Sequence, residues 1–266
     1  MDAILAAIDR LDRPSPILAR ARGLASALGA RLALVHVGPH AGAAGAGLRP
    51  EDAEALRFRT GPAAEAIIEV AESEGAGLIV MGRPTRRPLR ELFAGTTLEQ
   101  TLRLSHRPVL MAAAETPEAY RRILFAVDFS PAAEAAAALI GALKLVPGAE
   151  VHLAHAFSSP ESGLLIEAGA GMGAVRASLR QSQIEVQAEL ALWASAHGLV
   201  GARRHACLCE GATAETLLGL AERLKSELIV VGSHAKTGLS RALLGSVAHG
   251  ILVGAACDVL VAPPRA

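Results

Sequence analysis

One glycine-bounded loop carries the residues best suited to holding a phosphate. It runs Gly232-Ser233-His234-Ala235-Lys236-Thr237-Gly238-Leu239-Ser240-Arg241-Ala242-Leu243-Leu244-Gly245-Ser246. A glycine at the end of the preceding apolar run lets backbone approach a ligand closely. Gly245-Ser246 stands where a helix should open, and the free amides and dipole of a helix start favour anions. The Ser246 hydroxyl adds a donor, and Lys236 adds a cation. Glycine at a strand end and serine at a helix cap are also routine structural choices.

Two further sets invite chemistry. His205, Cys207 and Cys209 alternate along one stretch, which puts them on one face of a strand and hints at zinc. Alternate strand positions lie about 6.5–7 Å apart, however, too far for all three to reach one ion easily. Buried cysteines are ordinary core residues. Gly169-Ala170-Gly171-Met172-Gly173-Ala174 fits the dinucleotide fingerprint, which must follow directly on a strand and open a helix. The stretch Ser158 to Ala168 separates it from the strand ending near Phe157, so a flexible linker is expected there. His36 and His155 close second strands and read as structural histidines. No Walker sequence, HExxH or GxSxG occurs, and no nucleophile pairs with a base at recognisable spacing. The expectation is a protein that is not an enzyme.

The elements that must position the loop come in two copies. Ile4-Leu5-Ala6-Ala7-Ile8-Asp9 reads like Ile123-Leu124-Phe125-Ala126-Val127-Asp128, and Val35-His36-Val37 like Ala154-His155-Ala156, both 119 positions apart. Farther on the offset becomes 150. Gly61-Pro62-Ala63-Ala64-Glu65 matches Gly211-Ala212-Thr213-Ala214-Glu215, and Leu78-Ile79-Val80-Met81-Gly82 matches Leu228-Ile229-Val230-Val231-Gly232. Gly95-Thr96 with Gly245-Ser246, and Val109-Leu110 with Val259-Leu260, keep the same 150. The chain is therefore one unit duplicated. The domains are expected over 1–115 and 120–266. The second copy holds 31 extra residues whose apolar spacing suits an amphipathic helix. The first copy has only the Gly/Ala-rich stretch His40 to Glu54 there, expected as a loop.

In the second copy, strands are predicted over Arg122–Val127, Val151–Phe157, Arg203–Cys209, Glu227–Val231 and Val259–Ala262. Helices are predicted over Pro131–Leu145, Val175–His197, Thr213–Lys225 and Ser246–Val253. Ser130 before Pro131 is a start signal. Strands apolar at every position suit a parallel sheet covered on both faces. The fold expected is α/β, two tandem doubly wound parallel-sheet (Rossmann-like) domains, the first shortened by loss of one helix. Ligands of such sheets sit beyond the carboxyl ends of the strands.

Composition narrows the function. The chain has 266 residues, 52% of them apolar and 20% charged, which supports a packed core and argues against disorder. Lys and Arg number 26, as do Asp and Glu. Nucleic acid or an anionic membrane usually calls for a basic excess, so neither is expected as partner. No apolar run approaches a membrane span, the N-terminus lacks a secretory pattern, and three cysteines make no disulfide framework. A soluble, cytoplasmic protein is expected.

The strand, the loop Gly-x2-Gly-x9-Gly-Ser/Thr, the helix and a final Val-rich strand resemble the universal stress protein family in tandem form, over nearly the whole chain. The resemblance implies a regulatory protein of the stress response, binding ATP or a related adenine nucleotide, with Mg as the accompanying ion. It implies that the two domains pair within one chain and that a homodimer can form. Carried over by position, Asp128 faces adenine with backbone near Ala156 and Phe157 alongside. Gly232, Gly245 and Ser246, with Val247 just behind, hold ribose and phosphates. The pattern's second glycine is Ala235, next to Lys236. In the first copy it is Thr85, amid Arg83, Arg86, Arg87 and Arg90. The second domain is accordingly expected to bind and the first to be its degenerate partner. The alternative is a scaffold of the same fold, without nucleotide, that works through protein contacts.

Overall fold

The computed structural model describes residues 1–10, 15–38, 48, 50–84, 95–113, 119–209, 211–233 and 244–264. The first half runs β1 (Ala3–Ala7), α1 (Pro16–Leu28), β2 (Arg31–Val37), α2 (Pro50–Ala55), β3 (Leu56–Arg59), α3 (Ala63–Ser73), β4 (Ala76–Gly82), α4 (Thr97–Leu104) and β5 (Val109–Ala112). The second runs β6 (Arg122–Ala126), α5 (Pro131–Ala142), β7 (Glu150–Phe157), α6 (Pro160–Glu167), α7 (Met172–Ala196), β8 (Arg203–Leu208), α8 (Thr213–Leu224), β9 (Leu228–Gly232), α9 (Ser246–Gly254) and β10 (Asp258–Ala262).

The described strands form one sheet, ordered β3-β2-β1-β4-β5-β10-β9-β6-β7-β8. Each half is parallel, and the halves join through the antiparallel pair β5/β10. Its register sets Leu110 opposite Leu260, two residues 150 positions apart and so equivalent in the repeat. A pseudo-two-fold axis therefore passes between them. The chain folds as an isologous dimer of its own two units.

Helices cover both faces, as all-apolar strands require. Ile4, Ala6 and Ile8 face a core with α1 (Ile17, Leu18, Ala21), α5 (Ala133, Ala136, Ile140) and α7 (Leu190, Trp193). Leu5 and Ile79 face the other, with α3 (Ile67, Val70), α4 (Leu98, Leu102), α8 (Leu217, Leu220) and α9 (Ile251, Leu252). Period-two alternation thus divides each strand between two layers. Aromatic scarcity is met by Phe125, buried edge-on to Trp193 at 5.4 Å.

Two sequence expectations need correction. Pro50–Ala55 is helical, although the stretch to Glu54 was expected as a loop. Proline with its preset φ at the first position, followed by acidic residues, starts a helix despite the glycines upstream. The Gly169–Ala174 segment is not a linker throughout: Gly169 turns in the left-handed region at φ 70, Gly171 caps α7, and Met172 to Ala174 are helical. The stretch before it also contains α6, opened by Pro160. Among the described residues no helix is long and apolar enough to cross a membrane.

Candidate functional site

Strand order reverses between β6 and β9, since β7 follows β6 on one side and β9 flanks it on the other. The crevice beyond those carboxyl ends is where a doubly wound sheet takes ligands. Asp128 follows β6 and Ala156 lies near the end of β7. Gly232 ends β9, and Gly245, Ser246 and Val247 open α9. All six stand on the same edge of the sheet. Ala235 and Lys236 lie outside the described residues, as do Thr85, Arg86, Arg87 and Arg90.

The Gly245 amide donates to the Ser233 carbonyl at 2.8 Å, and Ser233 donates to the Ala262 carbonyl at 2.8 Å. Those bonds seat the start of α9 beside the ends of β9 and β10. Gly245 is the cap residue and offers no side-chain acceptor, while Ser246 is exposed. Among the described residues the first-turn amides of Ser246, Val247 and Ala248 therefore have no side-chain cap, and they stand at the carboxyl edge.

Asp128 is half-buried. Its Oδ1 accepts from the Ser130 amide at 3.1 Å and the Ser130 hydroxyl at 2.5 Å. Among the described residues Oδ2 has no donor. Between them, Phe129 takes φ 58, a left-handed conformation that strains a bulky side chain. Its ring lies 4.7 Å from that of His155. His155 Nδ1 in turn donates to the Val127 carbonyl at 2.7 Å. In the first half His36 Nδ1 donates to Ile8 at 2.9 Å, so both histidines tie the second strand to the end of the first. That is the structural use read from the sequence.

Gly232 also serves packing. A Cβ there would meet Ala132 Cβ at 2.8 Å and the Ala132 and Ala133 backbone at 3.1 and 3.2 Å. The lack of a side chain lets α5 approach β9 closely. Gly82, its repeat equivalent, meets Ile17 of α1 at 2.9 Å in the same way.

His205 bonds His152 through Nε2 to Nδ1 at 2.9 Å. Burial holds both imidazoles below the usual histidine range and pushes the Cys207 thiol up. Cys209 Sγ contacts the Thr213 hydroxyl at 3.9 Å. Among the described residues no three His, Cys, Asp or Glu side chains gather to hold a metal.

The first half contains a cavity of about 300 Å³ in the equivalent place. The ends of β1, β2 and β4 and the starts of α3 and α4 line it, including Asp9, Val37, Ala63, Arg83 and Thr96. Its α4 differs from α9. Glu99 Oε2 accepts from the Thr96 amide at 2.7 Å, and Thr96 Oγ1 accepts from the Glu99 amide at 3.3 Å, a capping box. The pattern Thr96-x-x-Glu99 is legible in sequence, although it was not among the features singled out. Glu99 Oε1 also meets His249 Nδ1 of α9 at 2.8 Å. Glu99 and His249 are themselves 150 positions apart, so this contact also joins repeat-equivalent residues across the pseudo-axis.

Comparison with known proteins follows the same division. The Universal stress protein family model matches residues 49–113 and 119–263. Universal stress protein A homolog 1 of Coxiella burnetii is 33% identical over 152 residues, 53% of this chain and 94% of that protein. A universal stress protein of Methanocaldococcus jannaschii is 46% identical over 61 residues, 23% of this chain, which spans 36% of that relative's length. A solved structure of a putative universal stress protein from Pseudomonas aeruginosa covers 98% of this chain, and 93% of its own, at 23% identity and a TM-score of 0.66. That likeness is one of fold.

Proposed function

The chain belongs to the universal stress protein family, and from that premise we propose that its second half binds ATP or a related adenine nucleotide and that the protein regulates part of a stress response. The observation that carries the reading is the first turn of α9 beside the ends of β9 and β10, which has no side-chain cap among the described residues. Ser246, Val247 and Ala248 offer amides to phosphate oxygens, and the exposed Ser246 hydroxyl adds a donor. Asp128 Oδ2 supplies an acceptor at the end of β6 for an amino group of the base. The Ser130 amide and hydroxyl hold that carboxylate in place through its other oxygen. Lys236, and Mg when present, would neutralise the polyphosphate.

Regulation then follows from linkage. A ligand that binds only the ordered state stabilises it by about 2.7 kcal/mol at a hundred times its Kd. A partner docking on the segment from Gly232 to Ser246 would sense that change. The role proposed is binding rather than turnover, in keeping with a sequence in which no nucleophile pairs with a base at recognisable spacing. Internal pairing through β5 and β10 supplies within one chain the symmetry that a one-unit protein would need a second copy to reach.

Calorimetric titration of the whole chain with ATP tests the reading, on wild type and on Gly245→Val. Heat in the wild type that the variant loses is the expected result. No heat with either protein favours the scaffold reading.

A further inference from the structure

We propose that the open edge of the sheet at β8 takes an extended segment of another protein as a further strand, and that the residues of this segment alternate between apolar and acidic. β8 ends the sheet, with β7 as its strand neighbour. The two are parallel, and the Cys209 amide donates to the Phe157 carbonyl at 2.8 Å. Backbone groups of a parallel pair alternate, so those of His205, Cys207 and Cys209 turn toward β7. Those of Arg204, Ala206 and Leu208 therefore point outward. Among the described residues the Arg204 carbonyl is the one of these with a partner, Gln187 Nε2 of α7 at 3.3 Å. A row of free N–H and C=O groups is what an added strand pairs with.

The two faces of this edge differ in chemistry. His205 and Cys207 stand in register with Ala154 and Ala156, on the side that α8 covers. Arg203 shares that side with its side chain 71% exposed. Arg223 of α8 lies near enough for its charge to act on both His205 and Cys207. Glu150, bonded to Arg203 at 2.8 Å, answers one of these two guanidiniums. On the other side Arg204, Ala206 and Leu208 follow Leu153, which packs with α7. Leu208 is 37% exposed there, and Ile184, nearly one helical turn before Gln187, is 62% exposed. Successive side chains of an extended segment alternate between the two sides. Apolar residues on the α7 side would cover Ile184 and Leu208, while carboxylates on the α8 side would meet Arg203 and Arg223. The same arginines argue against a second copy as occupant. It would bring its own Arg203, Arg204 and Arg223 to the edge, and like charges across a strand pair destabilise it.

The inference does not rest on nucleotide binding in the second half. Amide-resolved NMR of the whole chain at pH 7 tests it, with an acetylated, amidated peptide of about seven alternating glutamates and valines, the length of an ordinary strand. The peptide should shift the amides of Arg204, Ala206 and Leu208 together and slow their exchange with solvent. A lysine–valine peptide of the same length should bind at least tenfold more weakly. Ala206→Pro removes an outward N–H at an edge position, where proline is tolerated, and should weaken binding of the glutamate–valine peptide at least tenfold. Arg223→Glu, a change at an exposed residue of α8, should weaken it at least fivefold. The inference is overturned if the glutamate–valine peptide moves none of those amides, if the lysine–valine peptide binds as tightly, or if either variant binds like wild type. It is equally overturned if a second copy already shields the edge, seen by sedimentation as a dimer that Ala206→Pro dissociates.

Discussion

Replacing Arg20 with methionine should destabilise the protein by about 3 kcal/mol, because it strands a buried carboxylate where the two halves meet. Asp258, on β10, is 0% exposed. Its Oδ2 accepts from Arg20 Nε at 2.8 Å and from the Tyr120 hydroxyl at 2.6 Å, while Oδ1 accepts from the Ala113 amide at 2.8 Å. Arg20 comes from α1 of the first half, and its guanidinium lies 4.2 Å from the centre of the Tyr120 ring. Burial, with the Asp258 charge beside it, pushes the Tyr120 phenol well above its usual range, so it remains a donor. Removing one partner of a buried pair costs about 3–5 kcal/mol. The two hydrogen bonds that survive here place the loss near the lower figure, and methionine keeps most of the apolar stem. Urea unfolding at pH 7 reads the loss directly. Arg20→Met with Asp258→Asn, which leaves no unpaired charge, should recover at least 1 kcal/mol of it. A single variant within 1 kcal/mol of wild type, or a double variant less stable than the single, would refute the assignment of this cluster as the latch between halves.

Gly232→Ala should cost about 1–3 kcal/mol in the same assay, because its methyl meets Ala132 and the backbone of α5; an unchanged midpoint would mean that the two elements part easily. The His152–His205 pair should make stability fall on acidification below about pH 6.5. Both groups have folded values below the unfolded one, so the unfolded chain takes up protons that the folded chain resists. Glu150, Arg203 and Arg223 are the charges around the pair. His205→Gln should show a smaller drop in urea midpoint between pH 7 and pH 5 than wild type, and an equal drop would remove the pair as its source. Burial, reinforced by Asp258, pushes the Cys257 thiol up to about 11. Cys257 should therefore react with iodoacetamide at pH 8 at least tenfold more slowly than an unstructured cysteine peptide.

The duplicated landmarks made most of the architecture legible. A constant offset of 150 across Gly95, Leu110 and their partners carries a symmetry, and Leu110 facing Leu260 is that symmetry in hydrogen bonds. Apolar runs such as Leu228 to Val231 announced parallel strands because both faces are buried. Local starts were legible where a proline follows a serine, as at Ser130 before α5. What stayed hidden depends on partners distant in the chain. Asp258 aligns with Pro108 in the repeat, so nothing in the duplication announces a latch built from Arg20 and Tyr120. Gly232 reads as a glycine that lets a ligand approach, and sequence does not say that Ala132 also needs the space. Thr96-x-x-Glu99 is a local signature, whereas His249, which pins the carboxylate, is 150 residues away. The first half's cavity is lined by Val35, Ile67 and Met81 from three different elements, which no spacing rule brings together.

The most direct test of where the anion sits is amide-resolved NMR of the whole chain titrated with ATP. Open amides at the start of α9 predict the largest shifts at Ser246, Val247 and Ala248, saturating together, with those of Thr96 and Glu99 unmoved. Shifts concentrated in the first turn of α4, or none at either helix start, would contradict it.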